Sequence, residues 1–440
     1  MSRRKKPPAE PVTVQIESLS HEGRGIARVN GKTVFVDGAL PGEEVSIRFT
    51  RGHRRYSEAR VIEIIKPAPE RIPARCQHFM VCGGCSFQHV DSQFQIAHKQ
   101  KTLLEQLRHI GAVAPEEIMP PLTGPLWGYR RRARLAAKYV DKKQKVLVGY
   151  REKSSPFIAE ISRCETLHPA VGLMLEELQG LISRLSILRQ VPQIEVAVAD
   201  NATALVIRNL AEPDAADIAL LKDFESRKNV IIFLQAGGPE SITPLTPERM
   251  VELVYSLPDY GIECVFLPTD FIQINQEINN KMIALALHLL APDRHDDVLE
   301  LFCGLGNFSL PLASQCKQVT AVEGDKGLIE RAQKNAERNA ITNVEFHAVD
   351  LAKEDLHADF IERKHAKVLL DPPRTGAADI IKRMSFAGTE RIVYVSCNAA
   401  TLARDAGMLV RDKGFRLQKA GVMDMFPHTA HIESIALFVR

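Results

Sequence analysis

The chain has 440 residues, 45% hydrophobic and 25% charged, with a formal net charge of +3; this composition suits globular folding into roughly two to four domains. No apolar run reaches the roughly 18 residues of a membrane span, and Met1 to Pro8 lack the apolar stretch of a signal peptide, so a cytoplasmic enzyme without a membrane partner is expected. The small net charge hides local density: Arg51, Arg54, Arg55 and Arg60 crowd one segment, and Arg130, Arg131, Arg132, Arg134, Lys138, Lys142, Lys143 and Lys145 another. Such clusters are how a near-neutral protein presents a phosphate-binding face, although a solvated polar face is the bland alternative.

From Val12 to Ile65 the pattern predicts five short strands, Val12–Ile16, Gly25–Val29, Lys32–Val36, Glu43–Phe49 and Ser57–Ile65, separated by Gly, Asn-Gly and Pro-Gly turns. Short, evenly spaced strands point to a small barrel. Asn30-Gly31 is the dipeptide of a type I′ hairpin, whose central residues both need positive φ. Through Gly23-Arg24-Gly25-Ile26-Ala27 and Pro41-Gly42-Glu43 the segment resembles the TRAM domain, an OB-like RNA-binding barrel. Its implied role is docking. Residues 1–68 are expected to form this first domain.

Cys76, Cys82 and Cys85 follow with C-x5-C-x2-C spacing around Gly83-Gly84, and Cys164 stands far downstream. In a cytoplasmic chain of this size ligation is a better reading than a disulfide framework. Thiolates alone suit tetrahedral zinc or an iron–sulfur cluster. The long gap to the fourth cysteine, and a Gly-Gly that lets backbone N–H groups approach cluster sulfurs, favour [4Fe–4S]. Cys264 and Cys316 read as core thiols, and Cys303 lies in a glycine loop.

Between Leu126 and Leu267, alternating segments at 133–139, 146–150, 193–199, 204–209 and 230–235 predict an antiparallel sheet interleaved with helices near 172–188 and 216–226. The region 69–267 is therefore expected to be a central α+β domain bearing the cysteines, with Arg130-Arg131-Arg132 marking an anionic partner nearby. Pro268 then opens the third domain, 268–440.

From Asp297 onward strands and helices alternate: 298–303, 319–323, 344–349, 368–371 and a strand ending at Cys397, finished by 414–424 and 432–439. Alternation predicts a doubly wound, mostly parallel α/β sheet. The glycine turn Gly304-Leu305-Gly306-Asn307 after the first strand lets a ligand approach the backbone, and Glu323 at the end of the second can hold ribose hydroxyls. A G-x-G turn alone equally suits a nicotinamide dinucleotide. The third glycine of a pyrophosphate site is missing, however, and acids follow at Asp350 and Asp371, which fits S-adenosylmethionine better. Cys397 itself is a thiol delivered to the strand edge where open α/β sheets bind ligands.

Several motifs in order carry a more specific resemblance: Phe271-Ile272-Gln273-Ile274-Asn275, Glu300 to Phe308, Asp371-Pro372-Pro373-Arg374, Ser396-Cys397-Asn398, Thr401-Leu402-Ala403-Arg404-Asp405, and Met425 to Glu433. Together they resemble the RNA (uracil-5-)-methyltransferase family. With the TRAM-like segment and the four cysteines the resemblance spans essentially the whole chain, and it implies the branch acting on 23S ribosomal RNA rather than the smaller transfer RNA enzymes. Two residues depart from the family pattern: Ala399 stands where Pro is usual and Glu300 where Asp is usual. The resemblance implies a C-terminal Rossmann-like S-adenosylmethionine-dependent domain, a [4Fe–4S] cluster on Cys76, Cys82, Cys85 and Cys164, and a cofactor site lined by Gln273, Phe302, Asn307, Glu323, Asp350 and Asp371. Arg374 would meet a phosphate or the uracil carbonyl. Nothing in the sequence signals a stable oligomer.

The chemistry is dictated by uracil itself. C5 is too weak a nucleophile to take a methyl group from a sulfonium directly. A thiolate adding at C6 creates an enolate with charge available at C5, and the proton left on C5 must then be removed before the thiolate departs. Cys397 is the candidate thiolate and Glu433 the candidate base. Methylation of an amino group of adenine or guanine, a folate-dependent relative, transfer RNA or another ribosomal site as target, and an RNA-binding factor without catalysis are the competing readings; the first has no use for Cys397 and Glu433.

Overall fold

The computed structural model describes residues 10–351, 353 and 359–440; the basic beginning of the expected 1–68 domain lies outside these. The described residues form two compact units. One runs up to Lys99 and includes Arg151–Pro156 and Phe426–His431; the other comprises Gln100–Tyr150, Phe157–Met425 and Ile432–Arg440.

In the first unit, β1 (Val12–Gln15), β2 (Ser18–Leu19), β3 (Gly25–Val29), β4 (Lys32–Asp37), β5 (Glu44–Gly52) and β6 (Tyr56–Lys66) form one sheet in the order β1-β5-β6-β4-β3-β2. Alternate residues, among them Val14, Ile16, Ala27, Val34, Val36, Val45, Ile47 and Ala59, meet in its core. Register shifts along the β5–β6 pair bend the long strands. Asn30 and Gly31 take φ of +51° and +75°, the type I′ geometry expected between β3 and β4. Glu43, fully buried, ties the sheet to the segment beyond β6: its carboxylate accepts from Leu40 N at 2.8 Å and Ala68 N at 3.2 Å, and from Arg71 Nη2 at 2.7 Å.

The second unit holds three sheets. Their strands are β7 (Glu117–Ile118), β8 (Arg132–Val140), β9 (Lys145–Gly149), β10 (Gln193–Val198), β11 (Thr203–Arg208), β12 (Ile231–Gln235), β13 (Ile242–Pro244), β14 (Leu253–Leu257), β15 (Ile262–Phe266), β16 (Asp297–Leu301), β17 (Gln318–Glu323), β18 (Val344–Ala348), β19 (Lys367–Leu370), β20 (Arg391–Ser396), β21 (Arg416–Met423) and β22 (Glu433–Val439). The first sheet runs β13-β12-β11-β10-β8-β9 and is antiparallel except between β11 and β12. Helices Leu175–Arg184 and Ala215–Lys228 are the two expected from the pattern. β14 and β15 make a separate hairpin that the sequence pattern did not predict.

The third sheet runs β18-β17-β16-β19-β20-β22-β21-β7. The five strands β16 to β20 are parallel, whereas β22 is antiparallel to both β20 and β21. Strand order reverses between β16 and β19, so the carboxyl ends of these strands open a crevice there. β7 adds to the far edge beside β21, although its residues belong by sequence to the region expected to be the central domain. Helices start at this same carboxyl edge under side-chain caps: Asp325 accepts from Leu328 N at 3.1 Å and Asn398 from Ala400 N at 3.1 Å. Among the described residues no helix is long and apolar enough to cross a membrane.

Candidate active site

Parallel pairing places the ends of β16, β17, β19 and β20 on one edge, so Phe302, Glu323, Asp371 and Cys397, each next to or at a strand end, are collected there. Glu433 arrives by the opposite route. Because β22 runs antiparallel to β20, its first residue lies where β20 ends. The register closes with Ser396 facing Ser434, which makes Cys397 and Glu433 the next facing positions. Ser434 Oγ donates to the Ser396 carbonyl at 3.2 Å and locks that register.

The cofactor-type loop is held from both sides. Phe302 N donates to Val322 O at 2.7 Å and Cys303 N to the same carbonyl at 3.0 Å. Phe302 has φ of +67°, a conformation unfavourable for a bulky residue and typical of ligand-facing turns. Glu323 Oε2 accepts from Gly304 N at 3.2 Å, while Oε1 accepts from Gly324 N at 2.7 Å and Asp325 N at 3.1 Å. Asn307 exchanges hydrogen bonds with Asn279 at 2.9 and 3.0 Å, and the Tyr255 hydroxyl lies 3.4 Å from its Oδ1. Gln273 lines an adjoining recess with Arg131, Tyr255, Ile272, Gln276 and Asn279. Asp350 is exposed beyond β18, its backbone beside Gly324.

Burial shapes the protonation of these groups. It pushes Glu433 well above the usual carboxylate range; Asp371 raises it further and Arg374 opposes. Burial also pushes Asp371 up to about 7. Glu300, wholly buried, rises to about 8 through burial, with the hydrogen bond from Ser309 opposing and Asp371 and Glu323 adding. The Cys397 thiol is pushed up to about 11, first by burial, then by Glu433 and Asp371, while Arg374 lowers it. Burial thus favours the neutral form of these acids around one guanidinium, a cluster of perturbed titrating groups at a strand edge of the kind found at working sites.

Tyr255 and Asn279 were missed by sequence reasoning. The signal was there for Asn279: it is buried among Ile278, Met282, Ile283 and Ala286 on the apolar face of helix Gln276–Leu290, where a lone amide needs a partner. Tyr255 lies on the unexpected β14–β15 hairpin. The other three cysteines are core thiols: Cys264, Cys303 and Cys316 are buried.

Arg130 to Arg132, where an anionic partner is expected nearby, also have partners within the protein. Arg130 Nε donates to the Arg132 carbonyl at 3.0 Å, Arg131 pairs with Asp200, and Arg132 and Arg134 reach Glu195 at 3.7 and 3.1 Å. Further along, Lys143 and Lys145 share Glu160. Arg134, Lys138, Lys142 and Lys143 of this run are nonetheless exposed. Arg51, Arg54, Arg55 and Arg60 of the β5–β6 region are likewise exposed.

Of the expected metal ligands, Cys76, Cys82 and Cys85 lie in the first unit and Cys164 in the second. No disulfide joins any of the eight cysteines. Around the three, Gly84 N donates to Cys82 Sγ at 3.4 Å, Gly83 N to Arg151 O at 2.8 Å and Lys153 N to Val81 O at 2.9 Å. Among the described residues no group of three or more His, Cys, Asp or Glu side chains is gathered as a metal site.

Residues 248–440 match the family model described as tRNA (Uracil-5-)-methyltransferase, and residues 9–62 match the TRAM domain. The 23S rRNA (uracil(1939)-C(5))-methyltransferase RlmD of Methylococcus capsulatus is 50% identical over 100% of this chain and 99% of its own. This chain belongs to the RNA (uracil-5-)-methyltransferase family. The enzyme of the same name from Hahella chejuensis is also 50% identical, over 100% and 99%. A crystal structure of Pyrococcus abyssi tRNA (uracil-54, C5)-methyltransferase in complex with S-adenosyl-L-homocysteine shares the fold, with a TM-score of 0.74 and 22% identity over 97% of this chain and 99% of that one. The two departures from the family pattern have visible settings. Glu300 accepts from Ser309 Oγ at 2.5 Å, which anchors the helix behind the glycine loop. Ala399 begins helix Ala399–Arg411 directly after the Asn398 cap, so the turn behind Cys397 is closed by the cap instead of a Pro ring.

Proposed function

We propose that this methyltransferase transfers a methyl group from S-adenosylmethionine to C5 of a uridine in 23S ribosomal RNA, the position named uracil 1939 in its relatives. The observation that carries the reading is the β20–β22 register, which sets Cys397 and Glu433 at facing positions beside Asp371. S-adenosylmethionine supplies an electrophilic methyl on a sulfonium, and the acid-rich edge suits that positive charge. Gln273, Phe302, Asn307, Glu323, Asp350 and Asp371 are the residues proposed to hold it.

Cys397 Sγ adds to uracil C6 as its proton leaves, and the electron pair moves through C5 onto the ring carbonyl. C5 then attacks the methyl carbon, the sulfonium S–CH3 bond breaks, and S-adenosylhomocysteine leaves as the neutral thioether. Glu433 accepts the C5 proton, the ring electrons return and the C6–S bond breaks, releasing methylated uridine and the thiolate. Arg374 eases the first step because its charge favours the thiolate. A stacked uracil cannot reach a strand-end crevice, so the target base is turned out of its stack or taken from a loop. The exposed arginines of the barrel serve as phosphate contacts, and a ribosomal substrate places the enzyme in the cytoplasm.

Cys76, Cys82 and Cys85, with Cys164 as fourth ligand, are proposed to hold [4Fe–4S]. Lys153, whose pKa burial lowers while Asp37, Cys85 and Cys82 oppose, would offset thiolate charge there. The methyl transfer needs no electrons, so the cluster's part is structural or in RNA contact. Loss of iron together with stability on Cys82→Ser is the expected outcome, and iron-free protein with full stability and RNA affinity would exclude it.

The reaction is tested by mass spectrometry of Glu433→Gln protein incubated with S-adenosylmethionine and 23S-derived RNA. A methylated uracil joined to Cys397 is expected, because elimination stalls without the base. A wild-type enzyme that methylates while the variant carries no adduct overturns the assignment of thiol or base. Methylation confined to transfer RNA would overturn the substrate class.

A further inference from the structure

Helix Ala399–Arg411 starts two residues after Cys397 and grips the loop that carries Arg374. Asp405, on its second turn, is fully buried. Its Oδ2 accepts from Ala377 N at 2.7 Å and from the Tyr394 hydroxyl at 2.7 Å, and its Oδ1 accepts from Arg404 Nε at 2.8 Å. Arg404 Nη2 continues to the Thr375 carbonyl at 2.8 Å. Asn398 Nδ2 and Thr401 Oγ1 donate to the Arg374 carbonyl at 3.0 and 3.3 Å. Gly376 completes the loop at φ +80°, and a Cβ there would stand 2.5 Å from Arg404 Nη2 and 2.6 Å from Asp405 Oδ2. The helix is seated from behind as well. A Cβ on Gly407 would meet Gly111 O at 2.7 Å, a Cβ on Gly111 would meet Ala403 O at 2.3 Å, and Arg411 donates to Gly111 O at 2.8 Å.

The partners of Asp405 thus lie on the strand that delivers Cys397, on the helix after it, and on the loop after Asp371-Pro372-Pro373-Arg374. A buried carboxylate satisfied by this many donors fixes all three segments together, since charge-assisted bonds in a water-poor site are short and directional. The Arg374 side chain is exposed, yet its backbone has little freedom. We propose that Asp405 is a positioning residue for the nucleophile: through Ala377, Tyr394 and Arg404 it holds the Arg374 loop beside Cys397, so that the guanidinium stabilises the thiolate. The inference rests on Cys397 being the nucleophile of the proposed reaction.

Two variants test it, Asp405→Asn, which puts an amide among donors, and Arg404→Gln, which loosens the same strap from its half-exposed side and keeps the buried carboxylate. The readout is the rate at which iodoacetamide alkylates Cys397, located by mass spectrometry, from neutral to about pH 10, alongside kcat, KM for RNA and the thermal midpoint. Loss of the cation's influence is expected to slow alkylation about tenfold below the thiol's pKa and to lower kcat about tenfold, with KM for RNA changed by less than about twofold. A purely structural Asp405 would lower the thermal midpoint and leave the alkylation profile of the folded protein where it was; that result overturns the proposal. If Asp405→Asn does not fold, an unchanged profile in Arg404→Gln overturns it alone. Alkylation needs neither RNA nor methyl donor, so a wild-type enzyme that forms no uracil adduct would sink the proposed reaction separately.

Discussion

The edge of the third sheet and the basic run at 130–145 are both dense in charge, and they treat it in opposite ways. Along the basic run several charges have acidic partners: Arg131 pairs with Asp200, Arg132 and Arg134 share Glu195, and Lys143 and Lys145 share Glu160. At the sheet edge Glu300, Asp371 and Glu433 all stand above the usual carboxylate range. A paired surface charge contributes little beyond local order. Buried carboxyls held above their usual range are costly to keep, so their presence at a ligand-facing edge marks the working site.

Substitutions at the edge should therefore abolish chemistry, and those in the run should not. Cys397→Ala is expected to lower the methylation rate by roughly 10⁴-fold or more, as loss of a covalent nucleophile does, with RNA affinity in a filter-binding assay and the thermal midpoint near wild type. Glu433→Gln should cut turnover by about 10²- to 10⁴-fold while accumulating the protein–RNA adduct, visible as a slow band on a denaturing gel. Residual multiple turnover at wild-type rate in either variant would erase the contrast between the two regions.

A milder comparison sets the paired arginines against the exposed ones. Arg54→Ala with Arg55→Ala should weaken RNA binding several-fold and flatten its salt dependence by about one to two phosphate contacts, without moving the thermal midpoint. Arg131→Ala should do the reverse, lowering the midpoint by a few degrees and leaving the salt slope alone. Measuring log affinity against log salt separates them.

The smallest effect is on stability against pH. Glu300 has a folded pKa of about 8 against an ordinary 4.5, so the native state holds a proton that the unfolded chain has already lost. Stability then falls as pH rises between those values, because the unfolded state binds fewer protons. Glu300→Gln should flatten the decline of the thermal midpoint over that window and leave it nearly unchanged at lower pH. A decline of equal slope in the variant would assign the effect to Asp371 or Glu433 instead.

Local pattern alone carried much of this. Strand and helix periodicity marked the barrel, the parallel sheet and both helices of the middle region; Asn30-Gly31 announced its turn; Cys397, Glu323 and Asp371 were legible as strand-end groups because a strand's apolar run stops where its ligand edge begins. Tertiary structure decided the rest. The antiparallel direction of β22 brings Glu433 to Cys397, and direction is set by packing between strands distant in sequence, which no local period encodes. The acids that meet Arg131 and Arg132, Asp200 and Glu195, come from far along the chain. Asp405 was visible in sequence only as part of a motif; its partners on two other segments are seen only in the fold. Residue types and spacing determined what chemistry the chain could hold; only the pairing of distant strands determined which titrating groups would be buried together to perform it, because burial and partner choice are properties of the assembled sheet.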